Sequence, residues 1–322
     1  YMEDHVLAYK APLYGRRTAQ LKIHPFSFAE VCSYLTNLSP IDKAIAYGMV
    51  GGTPQYLLQL NDKLSIEENI KNIFLNPNSS LFEEPENLLK QEVREASLYN
   101  AIITAIATGS SRLSEISSKV GEDSNVCASY LKNLLALGIV KRETPYGEKI
   151  SRKSIYAISD NMFRFWYRFI PANISLISRG AQELAYKRIE PFLADYMGRV
   201  FEDICQQYLW QLLLNNNAPI DFTDLGRWWG TDKQLHKQTE IDIMAIQDKD
   251  TALFGECKWT NEKVDVSVLE LLQHRSSLFN YSQTVLYIFS KSGFTKGCQQ
   301  AASQSGNVKL VTYNEILQTL LA

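Results

Sequence analysis

The chain has 322 residues, 45% of them hydrophobic and 21% charged, with a net charge of −2. That is the composition of a globular protein long enough for two or three cores. No apolar run reaches the roughly 18 residues a membrane span needs, so no membrane partner is expected. Near-neutral charge neither requires nor excludes nucleic acid, so a basic patch has to be sought locally. The five cysteines (Cys32, Cys127, Cys205, Cys257, Cys298) are scattered with no C-x-x-C, which predicts reduced thiols and a cytoplasmic setting. The four histidines show no zinc spacing.

Residues 1–40 read as the end of a preceding unit. Leu13 to Thr18 is a basic turn carrying Arg16 and Arg17, and Leu21 to Phe26 alternates like a strand interrupted at Pro25. No G-x-x-x-x-G-K-[ST] phosphate loop occurs anywhere in the chain. Residues 41–95 are helical in pattern, with a break at Gly51-Gly52-Thr53-Pro54. There Gly-Gly ends one helix, Thr53 is a candidate cap and Pro54 suits the next first turn. Residues 96–160 give three helices ending at Gly109, Gly121 and Gly138, then two short strands around Pro145-Tyr146-Gly147-Glu148. Three helices followed by a ribbon is the winged helix-turn-helix pattern. Its third helix offers Lys132, and its ribbon offers Lys141, Arg142, Lys149, Arg152 and Lys153 as phosphate contacts. Use of the unit for packing between domains is an equal alternative.

Residues 161–190 interleave aromatics with Arg164 and Arg168 and continue as a helical linker. The aromatic block is expected to pack between domains, its arginine stems lying along apolar surface. Residues 191–322 follow the order helix, three strands, helix, strand, helix, strand, helix, which is an α/β domain. The first strand is placed at Ile220-Asp221-Phe222 and the first long helix at Ala194 to Leu214. On that helix Glu202 lies on a small or apolar stripe with Gly198, Cys205 and Leu209, a costly position for an unpaired carboxylate. The next two strands form a hairpin, Glu240-Ile241-Asp242-Ile243 and then Phe254-Gly255-Glu256-Cys257-Lys258-Trp259. A period of two puts Glu240 with Asp242 on one face and Glu256 with Lys258 on one face, while Ile241, Ile243, Gly255, Cys257 and Trp259 turn toward a core. Crowded carboxylates would be relieved by a hard divalent cation such as Mg2+ or Mn2+; a solvated polar face is the plainer reading. Gln273 on the following helix is a support candidate with a solvated face as its alternative, and Trp228 and Trp229 either line a groove or pack.

With Glu202, Asp242 and Glu256-Cys257-Lys258 in this order, the last region resembles the restriction-endonuclease-like PD-(D/E)XK nuclease fold, with a mixed central sheet. Tyr14 to Thr18, Gly51 to Pro54, Arg164 to Tyr167, Gly226 to Trp229, Glu240 to Asp242 and Glu256 to Trp259 together resemble the archaeal-type DEXX-box P-loop ATPases that carry such a domain. The resemblance spans nearly the whole chain. It implies a multi-domain protein: an ATPase-core remnant (1–40), an α-helical lid (41–95), a winged helix-turn-helix (96–160), a linker (161–190) and a nuclease-like domain (191–322). It places the phosphate loop and acidic Mg-ATP motif before Tyr1, so ATP is expected only with an N-terminal module in cis, where Arg16 and Arg17 would contact its phosphates. Ile241 stands where the nuclease pattern has proline. The implied function is Mg2+- or Mn2+-dependent hydrolysis of DNA. Asp242 and Glu256 are the implied metal ligands, Glu202 completes the shell, Glu240 is an additional ligand or support, and Lys258 orients water or stabilises charge. The alternative is a region of such an ATPase that binds DNA or a protein without cutting. A homo-oligomer is compatible with either.

Overall fold

The computed structural model describes Tyr9, residues 18, 19, 21, 23–93, 95–149 and 153–322. Arg16, Arg17 and Arg152 lie outside the described residues. The chain begins with a helical region: α1 (Phe28–Tyr34), α2 (Pro40–Val50), α3 (Pro54–Leu57), α4 (Ile66–Phe74) and α5 (Glu84–Glu92). The strand expected at Leu21 to Phe26 does not form: described residues 21 and 23–27 carry no ladder, and the side chains of Leu21 and Ile23 are exposed. The order there comes instead from Ser27 and Glu30, a capping box that starts α1. Gly51 closes α2 at φ 66°, and Thr53 precedes Pro54 without a side-chain cap bond. Gly52 is held against the backbone, its carbonyl accepting from Phe26 N at 2.9 Å. A Cβ on it would fall 1.9 Å from Phe26 O, so only glycine fits.

Next come α6 (Ala96–Ala107), α7 (Leu113–Val120), α8 (Ser124–Ala136) and an antiparallel ribbon of β1 (Val140–Glu143) and β2 (Ile155–Ile158). Then α9 (Asn161–Phe169) buries Phe163, Phe165, Trp166, Tyr167 and Phe169, as packing requires of so aromatic a segment. The Trp166 indole donates to Phe82 O at 2.6 Å, anchoring α9 to the helical region. Two short helices, α10 (Ile174–Ile177) and α11 (Gln182–Ile189), lead to the long α12 (Leu193–Leu214).

The remaining chain alternates as expected: β3 (Gly226–Asp232), β4 (Lys237–Ile246), β5 (Thr251–Lys258), α13 (Val266–Ser276), β6 (Gln283–Ser290), α14 (Lys296–Ser305), β7 (Val308–Thr312) and α15 (Tyr313–Leu321). The five strands lie in sequence order in one mixed sheet, antiparallel from β3 to β5 and parallel from β5 to β7. The first strand is at Gly226, not at Ile220. Ile220 and Phe222 are buried, with Phe222 packed 5.0 Å from Trp210, but Asp221 N donates to the Gln247 side chain and not to a ladder.

The sheet is covered on both faces. Ile243, Ala245, Leu253 and Trp259 join α12 and α15 in a core that continues into the helical region. Ile241, Met244, Ala252 and Phe254 join α13 and α14 in a second core. Ile241 and Ile243 therefore face opposite sides, contrary to the expectation from simple alternation. The cause is a bulge. The register pairs Trp228 with Ile241 and Gly226 with Met244, so Arg227 alone stands opposite Asp242 and Ile243.

Candidate functional site

The bulge sits where β4 and β5 part. Their pairing runs from Ile246↔Ala252 to Ile243↔Gly255 and goes no further. One step on, Asp242 would face Glu256, and Asp242 Oδ2 accepts from Cys257 N at 2.8 Å, replacing the lost ladder bond. Both carboxylates are buried, at 7% and 4% exposure. Burial, then the negative charges of Glu256 and Glu202, hold the Asp242 carboxyl well above the usual range. Glu256 is gripped from two sides: Lys258 Nζ lies 2.7 Å from Oε1 and Arg275 Nη1 lies 2.8 Å from Oε2. Burial alone would lower the Lys258 pKa, but Glu256 and Asp242 outweigh it and raise it, so the amine stays protonated.

Glu202 is placed differently from the expectation that it completes a metal shell. Arg199, one turn earlier on α12, reaches it at 2.8 Å, and Arg227 Nε lies 3.1 Å away. Burial raises its pKa while these two guanidiniums pull it back. The same arginines hold Glu143 of β1, Arg199 at 2.6 Å and Arg227 at 3.8 Å, and Arg227 also reaches the exposed Glu240 at 3.1 Å. Burial works to raise the Glu143 pKa, but Arg199, Lys141 and Arg227 overcome it and hold the carboxyl at about 2. A chain of three glutamates and two arginines, buried except at Glu240, thus joins the ribbon to the sheet.

On donor chemistry, Asp242 and Glu256 fit an oxygen-seeking divalent cation: two buried oxygen donors repel one another at the open end of a hairpin. Glu202 fits only if it leaves its arginines, and among the described residues no three acidic, histidine or cysteine side chains are grouped to hold a metal. Cys257, between Glu256 and Lys258, shares a hydrogen bond with the Cys205 thiol; burial pushes both thiols up, so neither is a ready nucleophile. All five cysteines are free.

Of the basic residues picked from sequence, Lys132, Arg142 and Lys149 are exposed and form no ion pair among the described residues. Lys141 is tied to Glu143 at 3.0 Å and Lys153 to Glu148 at 2.6 Å. The ribbon tip is docked on the sheet edge, with Tyr146 N donating to Arg227 O at 2.7 Å and the Trp229 indole donating to Lys153 O at 2.9 Å. Trp228 packs on Phe279 at 4.9 Å. Gln273 is half-buried and donates to Ser305 Oγ at 3.3 Å, not to a carboxylate. The supporting residue on α13 is Arg275, three positions beyond the buried Leu272 and so on the same side of the helix. No helix among the described residues is long and apolar enough to cross a membrane.

The site region is similar to a family of archaeal and bacterial proteins of unknown function. The model of that family, DUF234, matches residues 166–269, a span that contains Glu202, Arg227, Asp242, Glu256 and Lys258. The chain is also 35% identical over 264 residues to the uncharacterized protein MJECL04 of Methanocaldococcus jannaschii. The match covers 81% of this chain and 58% of that relative, so the chain spans less than two thirds of the relative's length.

Proposed function

We propose that the sheet with α12 and α13 is a PD-(D/E)XK nuclease-like module that hydrolyses phosphodiester bonds in DNA, and that α6 to β2 is a winged helix-turn-helix attached to it. The observation that carries this reading is the fork between β4 and β5. It buries Asp242 beside Glu256 and sets the Lys258 ammonium 2.7 Å from Glu256. Lys258 and Arg275 neutralise Glu256, but Asp242 forms no ion pair among the described residues, and a buried carboxylate beside another is costly unless a ligand relieves it. Asp242 and Glu256 would hold Mg2+ or Mn2+, which when bound supplies Lewis-acid polarisation of the phosphate and a more acidic water.

The protein's own groups divide the remaining work. Lys258 is held protonated by Glu256, so it acts as a donor, aligning the attacking water or meeting the negative charge that grows on the phosphate oxygens, and not as a proton acceptor. Arg275 holds the second Glu256 oxygen and so fixes the carboxylate that orients Lys258. Water adds to phosphorus and gives up one proton to solvent, the bond to one ester oxygen breaks, and that oxygen leaves with a proton taken from solvent, so that one water is consumed per bond cut. ATP binding belongs, on this reading, to an additional module of a longer protein of the DEXX-box ATPase type.

One observation favours a second reading, a nucleic-acid-binding or regulatory region that does not cut: Glu202 is already neutralised by Arg199 and Arg227. A cleavage assay separates the two. The full chain is incubated with end-labelled DNA in Mg2+ or Mn2+. Metal-dependent products that vanish in Asp242→Ala and Lys258→Ala support the nuclease reading. Binding without products leaves the second.

A further inference from the structure

Among the described residues a cavity opens beside the fork, not at it. A cleft of about 600 Å3 opens between the helix-and-ribbon unit, which contributes Ser111, Arg112 and Ile155, and the first two strands of the sheet, which contribute Arg227, Trp229, Gln238 and Thr239. Arg275 of α13, whose guanidinium grips Glu256, also lines it. A ligand in this cleft is therefore one guanidinium away from the candidate site. The acidic groups that also line it are engaged. Glu115 accepts from the backbone of Ser111 at 2.8 Å and Arg112 at 3.0 Å, and Glu240 is paired with Arg227. Arg112 is exposed at the opening and takes no ion pair among the described residues.

We propose that this cleft is a track for a single polynucleotide strand, so that the substrate of the module is a single-stranded or frayed end and not an intact duplex. The inference rests on the nuclease-like reading for what happens at the inner end of the track. Three features point to it. A cavity of this volume suits a ligand of drug-like bulk, roughly two nucleotides. Arg112 presents a planar fork that matches phosphate, whereas the guanidiniums of Arg227 and Arg275 are held by the glutamates they pair with. Trp229 is fixed by its indole bond to Lys153 O, which leaves a rigid, half-buried aromatic wall on which a base stacks. A cation beside an aromatic platform is how single strands are held without sequence preference. The amide of Gln238 and the hydroxyl of Thr239 add polar contacts at the base edge.

The test is fluorescence anisotropy of the full chain in EDTA, with a labelled 12-nucleotide oligothymidine and a labelled 12-base-pair blunt hairpin as probes. The single strand is expected to bind tighter, with affinity falling as salt rises. Trp229→Ala should weaken single-strand binding about five- to a hundredfold, the range for loss of one stacked base. Trp229→Phe, which keeps a platform, should restore most of it. Arg112→Ala at the exposed mouth should reduce the slope of log affinity against log salt by about 0.7, one phosphate on a single strand. Equal or tighter binding of the hairpin, or single-strand binding indifferent to both Arg112→Ala and Trp229→Ala, overturns the proposal. Metal is absent and the fork is intact in these variants, so the outcome is separate from the nuclease reading. Cleavage of duplex with no single-strand preference would remove the track and leave the nuclease. Single-strand binding without metal-dependent cleavage would remove the nuclease and leave the track.

Discussion

Glu143→Gln probes the charge chain that ties the ribbon to the sheet. In the folded protein Arg199, Lys141 and Arg227 hold this carboxyl at about 2 against an ordinary 4.5, and its side chain is 16% exposed. A depressed folded pKa means the unfolded chain takes up the proton first. The contribution is therefore complete above about 4.5 and is lost as pH falls toward 2. At about 1.36 kcal/mol per unit, the two and a half units correspond to roughly 3 kcal/mol at pH 7 and about 1.4 kcal/mol at pH 3. Glutamine keeps the shape and removes the charge. Urea unfolding of both proteins at pH 7, 5, 4 and 3 should show wild type ahead by about that amount at pH 7, with the gap shrinking by more than half at pH 3. A gap that stays constant with pH would mean that the side chain acts through packing alone. No gap at pH 7 would mean that the arginines are satisfied without it.

Two further perturbations act on the fork. Asp242 has a raised folded pKa, so its contribution has the opposite sign: it is most favourable below about 3.8 and is lost as pH rises through the folded value. Asp242→Asn should therefore raise the melting temperature at pH 7 in EDTA, and the advantage should disappear near pH 3; a lower melting temperature at pH 7 would contradict the like-charge account. Arg275→Met removes one of the two cations on buried Glu256 and should cost on the order of 3 kcal/mol in urea unfolding, the scale for breaking a buried pair. A cost within about 0.5 kcal/mol would place Arg275 among ordinary surface residues.

The element order of the last third was legible because its strands are short apolar runs separated by glycine, proline and polar turns, and because Asp242, Glu256 and Lys258 stand out in them. The bulge was not legible. A period of two carries no sign that Arg227 stands opposite two residues, and so the facing of Ile241 was misassigned. Ile220 and Phe222 imitate a strand because both pack inward from a loop. The capping box at Ser27 and Glu30 is an S-x-x-E signal that the alternation of the preceding residues obscures. The arginines of the site were the larger omission. Arg199 stands three residues before Glu202, a spacing that could have announced the pair, whereas the partnership of Arg227 with Glu143 and of Arg275 with Glu256 exists only once the elements are folded together. The distinction between Gln273 and Arg275 turns on helix phase: Arg275 follows Leu272 onto the buried side.

The reading of the fork as a cation site is tested most directly by calorimetric titration of the metal-free full chain with Mn2+, beside Asp242→Asn and Glu256→Gln. The account predicts saturable binding by the native chain that is lost in both variants. Absence of binding, or binding that both variants retain, would contradict it.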